Sequence, residues 1–301
     1  MRRPLPASLR LGLGLCLLVL ALAAAGAVWT PFPPQAMDLA HAMAGPGPVH
    51  LLGTDDFGRD LLSRLLVGMR LDLMLALASV LLSGAAGLAV GLLAARLRGL
   101  AGDALMRLVD LLYAFPAILT ALMLVTVMGA STTSLVVVLA AVNLPVFVRL
   151  TRSMALSLNE QPFVEAARAA GAGPWRIALR HVLPGVLPTL LVQAATALSG
   201  AFFTEAALSY LGLGVQPPTP TLGNMLSEAQ GFLAVDPWMA VPPGLAVALC
   251  VLAFNTLGDG LRDRLAPGGG PPGRSGRAAP FPAPSAAPAQ VGRDHALVID
   301  A

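Results

Sequence analysis

The chain has 301 residues, of which 56% are hydrophobic and 12% charged, with a mean hydropathy of +0.76. That balance excludes an ordinary soluble domain and a chain that is disordered as a whole. Nineteen basic residues against sixteen acidic give a net charge of +3, and every cation is arginine, placed at the ends of long apolar runs rather than on a polar basic face. Such placement argues against a nucleic-acid partner and for a lipid bilayer as the main solvent.

A helix needs about 20 apolar residues to cross the hydrocarbon core, with its backbone polar groups satisfied internally. Six windows qualify: residues 11–29, 73–95, 111–128, 131–148, 185–203 and 240–257. The first starts after basic residues and ends in small ones, so a retained span and a cleaved signal peptide both fit; the long apolar run favours retention. Cys16 inside it and Cys250 in the sixth window read as small buried hydrophobes, without partners for a disulfide or a cysteine-rich metal site. A lipoprotein site at Cys16 is disfavoured by Leu15, which stands where a small residue is expected. The fourth window is the weakest, since its uninterrupted run starts at Leu135 and it carries Asn143 and Pro145. Residues 129–134 suffice only for a turn, so windows three and four are expected to pair antiparallel. Pro116, Pro145 and Pro188 fall within or beside spans, where each removes a helix hydrogen bond and can introduce a kink.

Cytoplasmic loops retain positive charge. With the N-terminus inside, thirteen arginines lie on the inner side and three, Arg59, Arg64 and Arg70, on the outer side, apart from three in the distal tail. Six crossings then place both termini in the cytoplasm. Trp29 and Trp238 fall at the outer interface, which suits amphipathic rings. From residue 265 the composition turns to Pro, Gly, Ala and Ser, and residues 265–301 are expected to form a disordered cytoplasmic tail. The expected organisation is residues 1–70, the first span with an external loop; 71–264, a five-helix domain with an inner loop at 160–184; and the tail.

Acids near the outer face are the first candidates for function. Asp55, Asp56, Arg59 and Asp60 precede the second span, and helix capping and salt bridging rank ahead of a cation cage, since Arg59 intrudes among the acids. Glu205 lies about 28 Å across the fifth span by helix rise, near the outer boundary, and suits a local pair or a water-facing position ahead of a role in a substrate vestibule. Asp103, Arg107 and Asp110 share one helix face and are expected to fix the entry to the third span. The four histidines, His41, His50, His181 and His295, are scattered over both sides and the tail, so no metal site is expected.

The longest inner loop, residues 149–181, opens with a polar stretch and continues through Pro162, Glu165, Ala166, Ala167 and Gly171. Pro162 suits a first helical turn, Glu165 its positive end, and Gly171 a left-handed stop. A second short helix can start at Pro174 and end at Leu183 and Pro184 as the fifth span begins. Small side chains here let another protein approach the backbone closely, although a surface-lying elbow without a partner fits the residues as well.

Glu165, Ala166, Ala167 and Gly171, followed by Leu183 and Pro184, resemble the EAA loop of permeases of binding-protein-dependent ABC importers. His181 departs from the looser family pattern in a way that resembles the dipeptide, oligopeptide and nickel group, specifically its C-type subunit. The likeness extends through residues 52–64 (LGTDDFGRDLLSR), 106–116 (MRLVDLLYAFP), 204–220 (TEAALSYLGLGVQPPTP), 223–228 (GNMLSE) and 253–263 (AFNTLGDGLRD). It implies an all-α integral membrane protein with the type I importer permease fold in a bacterial inner membrane. It further implies a homologous second permease subunit, two ABC ATPases gripping the inner loop, an extracytoplasmic binding protein, and peptides or small solutes such as nickel as cargo. For residues 52–64 it implies a conformational element below the docking surface of that binding protein.

With no lysine anywhere, a Walker phosphate-binding lysine is impossible, and no nucleophile, base and orienter set suggests an enzyme. The chain is expected to bind no cofactor itself, ATP and Mg²⁺ being used by partner subunits. A membrane receptor or scaffold, or an ion-coupled secondary transporter, remains the alternative reading.

Overall fold

A computed structural model describes residues 6–97 and 99–265. Every regular element among them is helical: α1 (Ala7–Val28), α2 (Leu61–Arg96), α3 (Leu100–Tyr113), α4 (Ala117–Met128), α5 (Thr132–Asn159), α6 (Pro162–Ala169), α7 (Pro174–Ile177), α8 (Leu183–Tyr210), α9 (Leu222–Gln230) and α10 (Val241–Leu265). Five helical stretches are long and apolar enough to cross a bilayer, α7 running on into α8; α3 and α4 together can supply a sixth as a broken span. The expected tail lies outside the described residues from 266 onward, and residue 265 itself still belongs to α10.

Helix α2 sits at the centre, packed most extensively on α5 and also on α1 and α8. Its 36 residues rise about 54 Å, well beyond a hydrocarbon core of about 30 Å, so one end stands clear of the lipid. Small residues permit the close crossings. A Cβ on Gly91 of α2 would meet the Thr151 Cβ of α5 at 2.5 Å, and one on Gly12 of α1 would meet the backbone of Leu257 in α10 at 2.6 Å. The Phe202 ring of α8 stacks on Phe254 of α10, with centroids 5.8 Å apart.

Three expectations need correction. The third window is broken: α3 and α4 meet at 91°. Pro116 has no N–H and drives Phe115 out of the helical region, so α3 stops at Tyr113 and the 12-residue α4 is too short to cross alone. The polar stretch 151–160 is not loop. Helix α5 runs through Pro145 to Asn159, because Thr151 and Ala155 lie buried on its packed side while polar neighbours face outward. Leu183 and Pro184 end nothing either. The chain continues from α7 through a π-helical turn, Ala178–Val182, into α8. That widened turn contains Arg180, whose carbonyl stands four residues before Pro184, where the proline ring would otherwise clash.

Candidate functional site

Two polar sites stand at opposite ends of the helical bundle. The first is the break between α5 and α8. Pro162 occupies the first turn of α6 and Glu165 lies within that turn. Beyond Ala170, Gly171 adopts φ +79°; its N–H donates to the Arg168 carbonyl at 2.9 Å, and the Ala172 N–H donates to the Ala167 carbonyl at 3.0 Å. These paired bonds form a Schellman ending, which needs a left-handed residue at this position. Val164 is buried and anchors α6 to the bundle, while Glu165, Ala166 and Gly171 are exposed and Ala167 is half-buried. The segment therefore offers an outward face of small residues on a fixed backbone. Leu183 is half-buried and Pro184 exposed at the start of α8, away from the turn of α6 itself.

Behind α6 and α7 lies a cleft of about 370 Å³ lined by the ends of α2 and α5, including Arg96 and Asn159, and by Arg168. The Arg96 guanidinium sits 4.3 Å from the Trp175 ring centroid, joining the end of α2 to α7. Nearby, Arg149 pairs with Asp110 at 2.7 Å and Arg152 reaches Asp103 at 3.9 Å. The acids of α3 thus bind to α5, rather than to Arg107 on their own helix.

The second site gathers the external loop onto α2 and α9. Asp60 is the N-cap of α2, accepting from the Ser63 N–H at 2.8 Å. Asp55, fully buried, accepts from Arg59 Nε at 2.6 Å and pairs with Arg64 at 3.0 Å. Both arginines then converge on Glu228 of α9, at 3.1 Å and 2.6 Å. The loop is tied to α9 by this network, and Trp238 adds a bond from its indole N–H to the Leu52 carbonyl. Burial first, and then the neighbouring Asp55 carboxylate, push the Asp56 carboxyl above its ordinary value.

Glu205 does not join that network, nor does it face water. It is fully buried and accepts from Ser209 Oγ at 2.6 Å, while its Oε2 finds no hydrogen-bond partner among the described residues. Asp72 of α2 accepts from the Leu222 N–H at the start of α9, at 3.0 Å. Helix α9 is thus held at its two ends by different acids, Asp72 at one and the arginine-bound Glu228 at the other.

The sequence profile of the binding-protein-dependent transport system inner membrane component matches residues 87–268, a range that contains the α5 to α8 break. This chain belongs to that family. The permease is 44% identical over 223 residues to the glutathione transport system permease protein GsiD of Pectobacterium atrosepticum, covering 74% of each chain. It is 46% identical over 217 residues to the di/tripeptide transport system permease protein DppC of Pseudomonas aeruginosa, covering 72% of each. Against the dipeptide transport system permease protein DppC of Haemophilus influenzae it is 40% identical over 223 residues, 74% of this chain and 76% of that one. The permease is a multi-pass inner membrane protein, a membrane component of an ABC importer.

Sequence reasoning singled out Asp55, Arg59 and Asp60 in this permease but missed Arg64, Asp72 and Glu228. Arg64 and Glu228 sit in the quoted blocks, yet nothing in linear order joins residues 164 apart. Asp72 lies one residue ahead of the second apolar window, where a charge at a helix mouth draws no attention. An acid flanked on both sides by apolar helix was the signal that could have found it.

Proposed function

We propose that this permease carries peptides or related small solutes inward across the membrane as half of a pathway completed by a homologous second permease subunit. Two ABC ATPases dock on α6, with Glu165, Ala166, Ala167 and Gly171 at the contact and Leu183 and Pro184 setting the start of the helix that transmits the motion. ATP and Mg²⁺ are held and used by those ATPases, and this chain binds no cofactor of its own. An extracytoplasmic binding protein delivers cargo on the side of Asp55, Arg59 and Asp60, with both termini of the permease in the cytoplasm.

The observation that carries this reading is the exposed small-residue face of α6, fixed by its Schellman ending between two long helices. A docked motor can push such a helix as a rigid body, and α5 and α8 move with it because they are its covalent neighbours. The peptide class is supported by the relatives named for dipeptide, di/tripeptide and glutathione transport. The test is Gly171→Leu in the assembled complex. Uptake and substrate-stimulated ATP hydrolysis should fall together, and survival of both refutes the docking assignment.

One observation favours a second reading. Asp72 and Glu205 are buried together, and neither has a basic partner within ion-pair distance among the described residues, as an ion-coupled carrier would need. Uptake that continues in vesicles without ATP, driven by an imposed ion gradient, selects that alternative.

A further inference from the structure

The four histidines look scattered in sequence, but the fold brings two together on the external side of α2. His41 ends a 3₁₀ turn over Leu39–His41, and its Nδ1 lies 2.8 Å from Asp38 Oδ2. His50 has its Nδ1 2.9 Å from Asp60 Oδ1. The two ring centroids are 6.5 Å apart. Each ring therefore spends Nδ1 on a carboxylate, and no hydrogen-bond partner is found for either Nε2 among the described residues.

A carboxylate on Nδ1 fixes the tautomer that carries its proton there and leaves the Nε2 lone pair free, as it does behind metal-ligating histidines. The backbone under both rings is held as well. The His41 carbonyl accepts from Thr54 Oγ1, and the His50 carbonyl accepts from the Gly47 N–H at 2.8 Å and the Gly53 N–H at 3.0 Å. Phe32 packs on the His50 ring, with centroids 4.5 Å apart. Two imidazoles on one cation at Zn–N distances of about 2.0–2.1 Å place their ring centres about 5–6 Å apart. The observed spacing of 6.5 Å exceeds that by about 1 Å, and the exposed His41 side chain would have to turn its Nε2 towards that of His50 to close it.

We propose that His41 and His50 form a two-imidazole site for a borderline-soft divalent cation of the zinc and copper class, with Asp38 and Asp60 as its orienting partners. The cation would cross-link the segment after α1 to the turn before α2, with water in its remaining positions. Imidazole nitrogens select this class over magnesium or calcium, which favour oxygen cages. The nearby acids do not compete. Asp55, Asp56 and Glu228 place their oxygens within 4.8 Å of one another, but Arg59 and Arg64 already occupy that group.

The test uses the untagged full chain in lipid nanodiscs, titrated with Zn²⁺ by calorimetry and with Cu²⁺ by electron paramagnetic resonance. The expected Cu²⁺ spectrum shows two ring nitrogens. His41→Asn and His50→Asn each retain an amide at the Nδ1 position but lose Nε2, so each should weaken Zn²⁺ binding at least about tenfold, and unfolding without metal should stay unchanged in His41→Asn, whose ring is exposed. The double variant should lose the event. Asp38→Asn, acting through His41, should weaken binding about tenfold or more. Zn²⁺ binding that survives in the double variant, a spectrum with one nitrogen or none, or binding that disappears instead in Glu228→Gln overturns the proposal.

Discussion

Replacing Arg64 with methionine tests whether the outer network is a structural lock. Arg64 is 2% exposed and bridges two acids, Asp55 at 3.0 Å and Glu228 at 2.6 Å, while Arg59 touches both of these and Asp56. In the intact network three carboxylates face two guanidinium groups. Arg64→Met leaves the three against Arg59 alone, with the fully buried Asp55 keeping only one cation. Breaking a buried pair from one side costs about 3–5 kcal/mol, and the surviving Arg59 contact places this variant near the lower end, about 3 kcal/mol. Glu228→Gln has the opposite arithmetic. It leaves two acids against two arginines at a partly exposed position, so its cost should stay below about 1 kcal/mol. The measurement is the unfolding free energy of each purified variant by SDS titration in mixed micelles, with the double variant closing the cycle. Equal costs for the two single variants, or an Arg64→Met change under about 0.5 kcal/mol, would refute the charge accounting and leave Arg64 a packing residue.

Gly91→Ala places a methyl group against Thr151 at the crossing of α2 and α5, and should cost about 1–3 kcal/mol in the same titration; an unchanged value would show that the crossing is looser than described. Asp56→Asn should raise thermal stability at neutral pH. A carboxyl held above its ordinary value binds more protons folded than unfolded, so its ionisation lowers stability as pH rises through and beyond the ordinary carboxylate range near 3.8. The gain should shrink towards zero at pH values below that range, and a gain independent of pH would point to another cause. Ala167→Cys should react with a membrane-impermeant maleimide only from the cytoplasmic face of oriented vesicles; labelling from outside would reverse the proposed orientation and put α6 beyond reach of any cytosolic motor.

The membrane character and the positions of most crossings were legible in the residues, because a hydrophobic run of about 20 residues has no other low-energy place for its backbone polar groups. The ending of α6 was equally legible, since a glycine after a short helix satisfies a purely local requirement. What linear order could not reveal was which prolines break a helix. Pro116 stops one, whereas α5 passes Pro145 and α8 passes Pro188. Helix α5 continues past Pro145 along α2, whose Gly87 and Gly91 lie against Phe147 and Thr151. Nor could it show which charges meet. Arg59 and Glu228 are separated by 169 residues and Asp72 accepts from a backbone group 150 residues away. Such partners are chosen only when packing has removed water from both, since a buried polar group must then take whatever complementary donor, acceptor or charge the fold has brought beside it.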